Sequence, residues 1–362
     1  MKISILGTRG IPANYGGFET FAEELSRRLV ERGHEVTVYC RRRHASPTYL
    51  GVRLRYLPAI RHKYFETVAH TFLSTLDLLL RHQDAALFCN AANAIFTVLP
   101  RIAGVPTALN VDGLERNRRK WNRLGRAWYS LSERLATSFP TATVSDARKI
   151  AEYYETRYRK HTHFIPYGAE TGKVETTGAL DKLGLEPGRY FLYVSRMEPE
   201  NNALLVREAF ERVETPLKLA LVGDAPYSRE YIAKVRATSD PRIVIPGAVY
   251  GRGYHELLSH CFAYIQATEV GGTHPALIEA MGRGALVLYL ATPENDEVAG
   301  GAALPFEHAT LAESIRAVLA MTDAERAAWQ RRAARRVEAR YSWDAVTRDY
   351  ESLLRKLAGV RG

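Results

Sequence analysis

Cysteine is nearly missing: three residues in 362, at positions 40, 89 and 261. An odd number so widely scattered excludes a disulfide framework, gives no zinc-ligand spacing and points to a reducing cytoplasm. A bilayer-spanning hydrophobic run is missing too. The most apolar stretch, Thr71 to Leu80, is broken by Asp77 and flanked by Arg and His. The N-terminus carries one lysine and then an apolar strand, so no signal peptide is expected. No G-x-G-x-x-G occurs, which removes the dinucleotide fingerprint. The acidic residue that fingerprint needs after its second strand is replaced by Cys40-Arg-Arg-Arg43. Arginines there can serve an NADP site, so a dehydrogenase is weakened rather than excluded. No Asp-x-Asp metal motif closes a predicted strand.

What is present is a globular composition, 46% hydrophobic and 25% charged, on a chain too long for one core, so two domains are expected. Charge divides them. Residues 1–170 carry 26 Lys+Arg against 15 Asp+Glu, or +11, and residues 171–362 carry 24 against 25, or −1. The basic excess belongs to the first half and suits an anionic surface, a phosphorylated acceptor or a nucleic acid. That half alternates apolar strands (Lys2–Leu6, Glu35–Tyr39, Ala85–Phe88, Thr107–Asn110, Ala142–Val144) with helical stretches. The first helix carries Phe18, Phe21, Ala22, Leu25 and Leu29 and ends at Gly33. The rhythm lapses between Pro166 and Gly188 and resumes with strands at Tyr190–Val194, Leu219–Val222, Ile243–Pro246, Phe262–Ile265 and Leu286–Tyr289. The fold class is therefore α/β, with Rossmann-like domains at 1–170 and 171–362 and a last helix from Trp343 to Leu357 that can pack back on the first. Ligands are expected where the strands' carboxyl ends face a cleft.

The most informative stretch is Thr268-Glu-Val-Gly-Gly-Thr-His-Pro-Ala-Leu-Ile-Glu-Ala-Met-Gly-Arg-Gly284. Gly271 and Gly272 follow a strand, Thr273 or His274 offers an N-cap, Pro275 fits the first turn, and Gly282 and Gly284 mark the stop. Such a turn gathers unpaired N–H groups at the positive end of a helix, which suits a phosphate. Glu279, one turn inside, can accept hydrogen bonds from sugar hydroxyls. Arg196, after the strand ending at Val194, can meet a diphosphate with a planar pair of donors. In the first half, the loop Gly7-Thr-Arg-Gly-Ile-Pro-Ala-Asn-Tyr-Gly-Gly-Phe-Glu19 puts Gly16 and Gly17 before a long helix, where backbone can approach a ligand. Asp112 follows a buried strand. It either orients or deprotonates an acceptor hydroxyl, bonds a sugar hydroxyl, or closes a local turn. Beyond it, Glu115 and the Trp-flanked basic run Arg118, Arg119, Lys120 and Trp121 suit an acceptor or a membrane interface.

These motifs in this order (Gly16-Gly17-Phe-Glu, Arg32-Gly-His-Glu-Val-Thr-Val38, Ile165-Pro-Tyr-Gly168, Arg196, Val222-Gly-Asp224 and Glu279-Ala-Met-Gly-Arg-Gly284) resemble retaining glycosyltransferases of family four, with the GT-B fold of two Rossmann-like domains facing across a cleft. The opening Gly-Thr-Arg-Gly-Ile-Pro and the segment Val-Gly-Gly-Thr are similar to its bacterial rhamnosyltransferase-type branch. The resemblance covers nearly the whole chain. It implies that Gly16 and Gly17 line the cleft, Arg196 holds the donor diphosphate, Glu279 the ribose, and the 271–274 backbone the donor sugar and phosphates. Three positions depart from the pattern. Gly271 stands where the family has a glutamate eight before Glu279, with Glu269 near but out of register. Asn201 replaces the diphosphate lysine, keeping a hydrogen-bonding amide without charge. Asp112 is the nearest equivalent of an acceptor-side histidine.

The resemblance thus implies a cytoplasmic enzyme on the inner face of the membrane, moving a sugar such as rhamnose from a UDP-, dTDP- or GDP-type donor to a glycan or polyprenyl-linked acceptor in surface polysaccharide synthesis. Neither a metal nor a cofactor is expected, and no nucleic acid. A nucleotide-sugar epimerase of similar shape and a non-enzymatic binder of anionic surfaces are the rival readings.

Overall fold

The computed structural model describes residues 1–14, 16–60, 66–117, 121–225 and 228–360. Arg118, Arg119 and Lys120 therefore lie outside the described residues. The chain forms two compact units, Met1–Tyr167 with Trp343–Gly362, and Gly168–Ser342. The division is not linear along the chain, because the helix Trp343–Leu357 belongs to the first unit. Its Tyr350 ring meets Phe21 at 5.2 Å, and Tyr350 Oη accepts from Asn110 Nδ2 at 2.8 Å. Glu351 on the same helix is 3.0 Å from Arg32 Nη1 and 2.9 Å from His34 Nε2.

Among its described residues the first unit holds eight strands: β1 Lys2–Leu6, β2 Glu35–Cys40, β3 Thr48–Tyr49, β4 Val52–Tyr56, β5 Ala85–Cys89, β6 Thr107–Asn110, β7 Ala142–Ser145 and β8 His163–Phe164. Their order is β3-β4-β2-β1-β5-β6-β7-β8, and among the described residues only the β3–β4 pair is antiparallel. Every residue of β5, β6 and β7 is buried, as expected of parallel strands covered on both faces. The helix Gly17–Glu31 buries Phe21, Ala22, Leu25 and Leu29 at helical spacing, and Gly33 turns the chain at φ +85°.

The second unit holds β9 Tyr190–Val194, β10 Lys218–Val222, β11 Ile243–Gly247, β12 Ala263–Gln266, β13 Val287–Leu290 and β14 Leu304–Phe306. They form one parallel sheet in the order β11-β10-β9-β12-β13-β14. Phe191, Tyr193, Leu219, Leu221, Ile265 and Leu288 pack with Val206, Phe210 and Ile315 into its core. Among the described residues, no helix is long and apolar enough to cross a membrane.

Each sheet starts from an interior strand, runs outward to one side, then returns and continues on the other. The order of strands thus reverses between β1 and β5 in the first unit and between β9 and β12 in the second. Loops leaving adjacent strands at such a point diverge to opposite faces of the sheet and leave a crevice beyond the strand ends. The two glycine-rich loops leave β1 and β12, and the Arg196 loop leaves β9.

Candidate active site

In the second unit the loops after β9 and β12 are joined directly. Glu269 N donates to the Glu200 carbonyl at 3.0 Å. Asn202 Nδ2 reaches both the Ala267 carbonyl and Glu269 Oε1 at 2.9 Å. Glu269 also pairs with His308 Nε2 at 2.8 Å. Its carboxylate is thereby a clamp between loops.

Arg196 leaves β9 half-buried, and no described residue takes up its guanidinium by hydrogen bond or ion pair. A half-buried cation without an internal partner at a sheet's switch point is poised for an external anion. Asn201 does not share this task. It is 2% exposed, and its Nδ2 donates to the Arg196 carbonyl at 2.5 Å. The amide expected to meet a diphosphate is used inside the loop instead, where it braces the backbone that carries Arg196. Gly223, after β10, runs so close to the Ser195 carbonyl that a Cβ there would overlap it, at φ +149°. Only glycine lets β10 approach the Arg196 loop this way.

The turn after β12 resolves the choice of N-cap. His274 caps the helix Pro275–Gly282 with extended backbone and Pro275 at the first position, but its ring makes no capping bond. Nδ1 instead lies 2.6 Å from Asn295 Oδ1. Thr273 is buried beside it. The amides of Gly271 and Gly272 donate to no described residue, and so remain for a ligand. Of the two expected stop glycines, Gly284 alone ends the helix, at φ +72°. Gly282 lies inside it, against the Glu170 carbonyl where a Cβ would not fit. Glu279 is half-buried, and its Oε2 accepts from Tyr254 Oη at 2.5 Å. Tyr254 is a participant that no local pattern announced; it comes from the preceding helix, Gly251–His260.

In the first unit, Gly16 caps the helix Gly17–Glu31 with an extended backbone. The loop ahead of it folds back onto that helix's own carboxylates, Arg9 N donating to Glu19 Oε1 at 2.9 Å and Ala13 N to Glu23 Oε2 at 2.6 Å. Burial pushes the Glu19 carboxyl up, against the opposing pull of the Arg9 N–H and the Arg41 and Arg9 charges. Asp112 follows β6 with φ +55°. Its N–H is held by Asn110 Oδ1 at 3.0 Å, so the Asx turn belongs to Asn110 and the Asp112 carboxylate is not the turn's acceptor. Burial first, then the charges of Glu19 and Asp112, push the Cys89 thiol up. Both carboxylates thus act on the carboxyl end of β5, beside the switch point.

Trp121 and Glu115 are not laid out as a surface anchor. Trp121 packs on Tyr129 at 5.2 Å and donates to the buried Glu115 carboxylate at 3.4 Å. Exposed apolar groups near it lie on the next helix, Arg123–Leu135, where Leu124 is 80% and Leu131 46% exposed.

Two family models match the chain in succession: Glycosyltransferase Family 4 over residues 15–173 and Glycosyl transferases group 1 over residues 188–321. No curated protein matches. Among solved structures the chain is similar to a sucrose-phosphate synthase from Thermosynechococcus elongatus, with 18% identity, 99% of this chain and 100% of that one covered, and a TM-score of 0.80. It is similar to HepE of Anabaena in complex with UDP and glucose, with 15% identity, 98% and 100% covered, and a TM-score of 0.78. WaaG, a glycosyltransferase involved in lipopolysaccharide biosynthesis, shares 16% identity over 99% and 100% of the two chains, with a TM-score of 0.73. At these identities the likeness is one of fold. With two glycosyltransferase models spanning most of its length on that fold, the chain is a family-four-type glycosyltransferase of the GT-B fold.

Proposed function

We propose that the enzyme moves a sugar from a nucleotide-diphosphate donor to a glycan or polyprenyl-linked acceptor, retaining anomeric configuration and using no metal. The observation that carries the donor side is Arg196, half-buried and without a described partner, in a loop hydrogen-bonded to the Gly271–Gly272 turn. Anabaena HepE, of the same fold, forms a complex with UDP-glucose, which supports a nucleotide sugar here. In this reading Arg196 and the free turn amides neutralise the diphosphate as it leaves, and preorganised donors of this kind stabilise developing charge without a cation. Glu279, aligned by Tyr254, accepts from the ribose hydroxyls. Gly16 and Gly17 let first-unit backbone approach the donor. Asp112 orients the acceptor hydroxyl. The acceptor oxygen bonds to the anomeric carbon on the face the diphosphate leaves, the carbon–phosphate oxygen bond breaks, and the hydroxyl proton passes to a diphosphate oxygen.

The donor sugar we favour is a deoxyhexose such as rhamnose, on the strength of the Gly7–Pro12 and Val270–Thr273 motifs, and the setting is surface polysaccharide synthesis on the inner face of the membrane. The +11 charge of residues 1–170 supports that setting, as do exposed Leu124 and Leu131 among exposed Arg123, Arg126 and Arg134. A thermal-shift screen with UDP, dTDP and GDP tests the donor side. Ligand at about a hundred times its Kd adds about 2.7 kcal/mol to a folded state that alone binds it, so one of the three should raise the midpoint clearly. No shift with any of them removes the reading. Formation of a glycosylated product, rather than an isomerised nucleotide sugar, separates transfer from epimerisation.

A further inference from the structure

The helix Glu66–Leu79, between β4 and β5, is amphipathic in the reverse sense for a surface helix. It buries His70, Thr71, Ser74 and Thr75, with Leu78, against the first unit. Two of the buried hydroxyls are satisfied within the helix itself, Ser74 Oγ donating to the His70 carbonyl and Thr75 Oγ1 to the Thr71 carbonyl, each at 2.8 Å. Short polar residues can therefore face inward there without a partner on the sheet. Outward the helix presents Phe72, Leu73 and Leu76, with Leu80 just past its end. Steps of three and four residues place these on one face, and a surface helix ordinarily has its two faces the other way round.

The apolar face continues onto the next element. The short helix Val98–Ile102 packs beside the first and adds Leu99 and Ile102, while the Phe72 ring lies 6.0 Å from that of Phe96. Leu80 is 87% and Ile102 79% exposed, and the other four side chains lie between 37% and 42%. A contiguous apolar ridge of this kind marks a contact surface.

Crossover handedness sets its neighbours. The connections β4 to β5, β5 to β6 and β6 to β7 cross the sheet in one direction, and β1 to β2 in the other. With right-handed crossovers, Glu66–Leu79, Val98–Ile102 and Arg123–Leu135 share one face of the sheet, and Gly17–Glu31 lies on the opposite face. The acidic side chains of those three helices all turn inward. Glu66 is 3.4 Å from Arg9 and 3.5 Å from Arg41, Asp77 is 2.6 Å from Arg55, and the buried Glu133 is 3.4 Å from Arg116. The exposed charges around the ridge are basic: Arg81 directly after the first helix, Arg101 on the second, and Arg123, Arg126 and Arg134 on the third.

We propose that the ridge formed by Phe72, Leu73, Leu76, Leu80, Leu99 and Ile102 enters the acyl layer of an anionic membrane, with the surrounding arginines at the lipid headgroups. Apolar side chains rimmed by cations suit that boundary. A second copy of the chain suits it less, because a self-complementary contact brings the same basic rim against itself. The proposal rests on the reading that the enzyme works at a membrane, and it names the face that enters. The helix Glu66–Leu79 leads into β5, so its first turn stands at the strands' carboxyl ends, the edge from which the Asp112 loop leaves. A lipid-linked acceptor held in the bilayer would reach the protein along that edge.

The test uses the full chain with vesicles of equimolar phosphatidylglycerol and phosphatidylcholine. Leu76→Gln with Leu80→Gln, and separately Ile102→Gln with Leu80→Gln, should weaken sedimentation by about tenfold at low and at high salt, the scale of withdrawing two partly exposed apolar side chains from lipid. Their melting midpoints should stay close to wild type, since the altered groups are exposed. A second readout does not depend on loss of binding. The three native cysteines are buried, so Leu76→Cys accepts a nitrobenzoxadiazole label selectively. Its emission should rise and shift to the blue with vesicles, whereas the same label at Glu31→Cys, on the opposite face, should stay aqueous. Vesicle binding by the wild type that the ridge variants leave unchanged, with an aqueous label at position 76, overturns the proposal and keeps the membrane setting. A wild-type dimer in light scattering that the ridge variants dissociate also overturns it and assigns the ridge to a second copy. A wild type that ignores these vesicles removes the membrane setting and the proposal with it.

Discussion

Tyr254 Oη stands 2.5 Å from Glu279 Oε2, so the carboxylate one turn inside the helix Pro275–Gly282 is aimed by a phenol from the helix before it. An aimed carboxylate loses less rotamer freedom when it meets a ribose. Glu279→Ala should weaken nucleoside diphosphate binding by about tenfold or somewhat more, the scale of one lost hydrogen bond to a charged group at about 1.5 kcal/mol. Tyr254→Phe should weaken it less, by a few-fold, since the acceptor survives without its guide. Titration calorimetry measures both. If either variant affected turnover without affecting nucleotide affinity, the ribose role would be lost.

Arg196→Ala should reduce kcat by about two to three powers of ten, the range seen when one preorganised donor to a developing anion is removed. Arg196→Lys should recover only part of this, because a point charge lacks the planar pair of donors. A wild-type kcat in Arg196→Ala would place the leaving diphosphate elsewhere.

Chelation gives a separate check on the chemistry. Transfer should proceed unchanged in excess EDTA if, as proposed, Arg196 and the amides of the 271–272 turn supply the positive charge the diphosphate needs. Activity abolished by EDTA and restored by Mg²⁺ would contradict this.

Most of the scaffold could be read from the sequence because parallel strands are apolar runs bounded by polar loops: all ten strands expected from such runs are present, within one or two residues. Of the strands missed, β3, β8 and β14 are edges of two or three residues, and β4 is a five-residue strand between β3 and β2. The turn between β3 and β4 is Leu50-Gly51, both at positive φ, and leucine there gives none of the Asn-Gly signal that normally marks such a hairpin. β14 is three residues with Pro305 inside it, a composition that reads as loop. Residues of the proposed site were legible where backbone chemistry dictated them, as at Gly271–Gly272 and Pro275. Tyr254, Asn295 and Glu23 were not, because each acts across the fold from a helix whose local pattern is ordinary. Asn201 shows the converse limit: the sequence names its donor group, but only the packing shows that the Arg196 carbonyl already holds it.

The terminal helix should confer a pH dependence on the first unit. Burial raises the Glu351 carboxyl, but the hydrogen bonds from His34, Arg32 and Arg355 outweigh it and hold the group below its usual range. A carboxyl depressed in the folded state binds fewer protons there than in the unfolded chain. Its contribution is therefore complete above the unfolded value, about 4.5, and is lost as pH falls through the lower folded value. Glu351→Gln should lower the melting midpoint at pH 7 and narrow its gap from wild type as the pH drops below 4.5. A gap that stayed constant across that window would show that the pair contributes through packing alone.

Membrane attachment, if it is electrostatic with a shallow apolar contact, should map to the helix Arg123–Leu135. Leu124 and Leu131 lie seven residues apart and share a face, both exposed, with Arg123, Arg126 and Arg134 exposed around them. Each basic residue near an anionic surface is worth about 1 kcal/mol, and salt screens the attraction. The protein should sediment with phosphatidylglycerol vesicles at low salt, less as salt rises, and little with phosphatidylcholine. Arg123→Gln with Arg126→Gln should weaken sedimentation chiefly at low salt, whereas Leu124→Gln with Leu131→Gln should weaken it at every salt concentration, since apolar contact is not screened. Changing Arg118, Arg119 and Lys120 to Gln tests whether the neighbouring basic run adds to the same footprint. Indifference to anionic vesicles, together with salt-sensitive binding to single-stranded or duplex nucleic acid, would assign the +11 charge of residues 1–170 to a nucleic-acid surface instead.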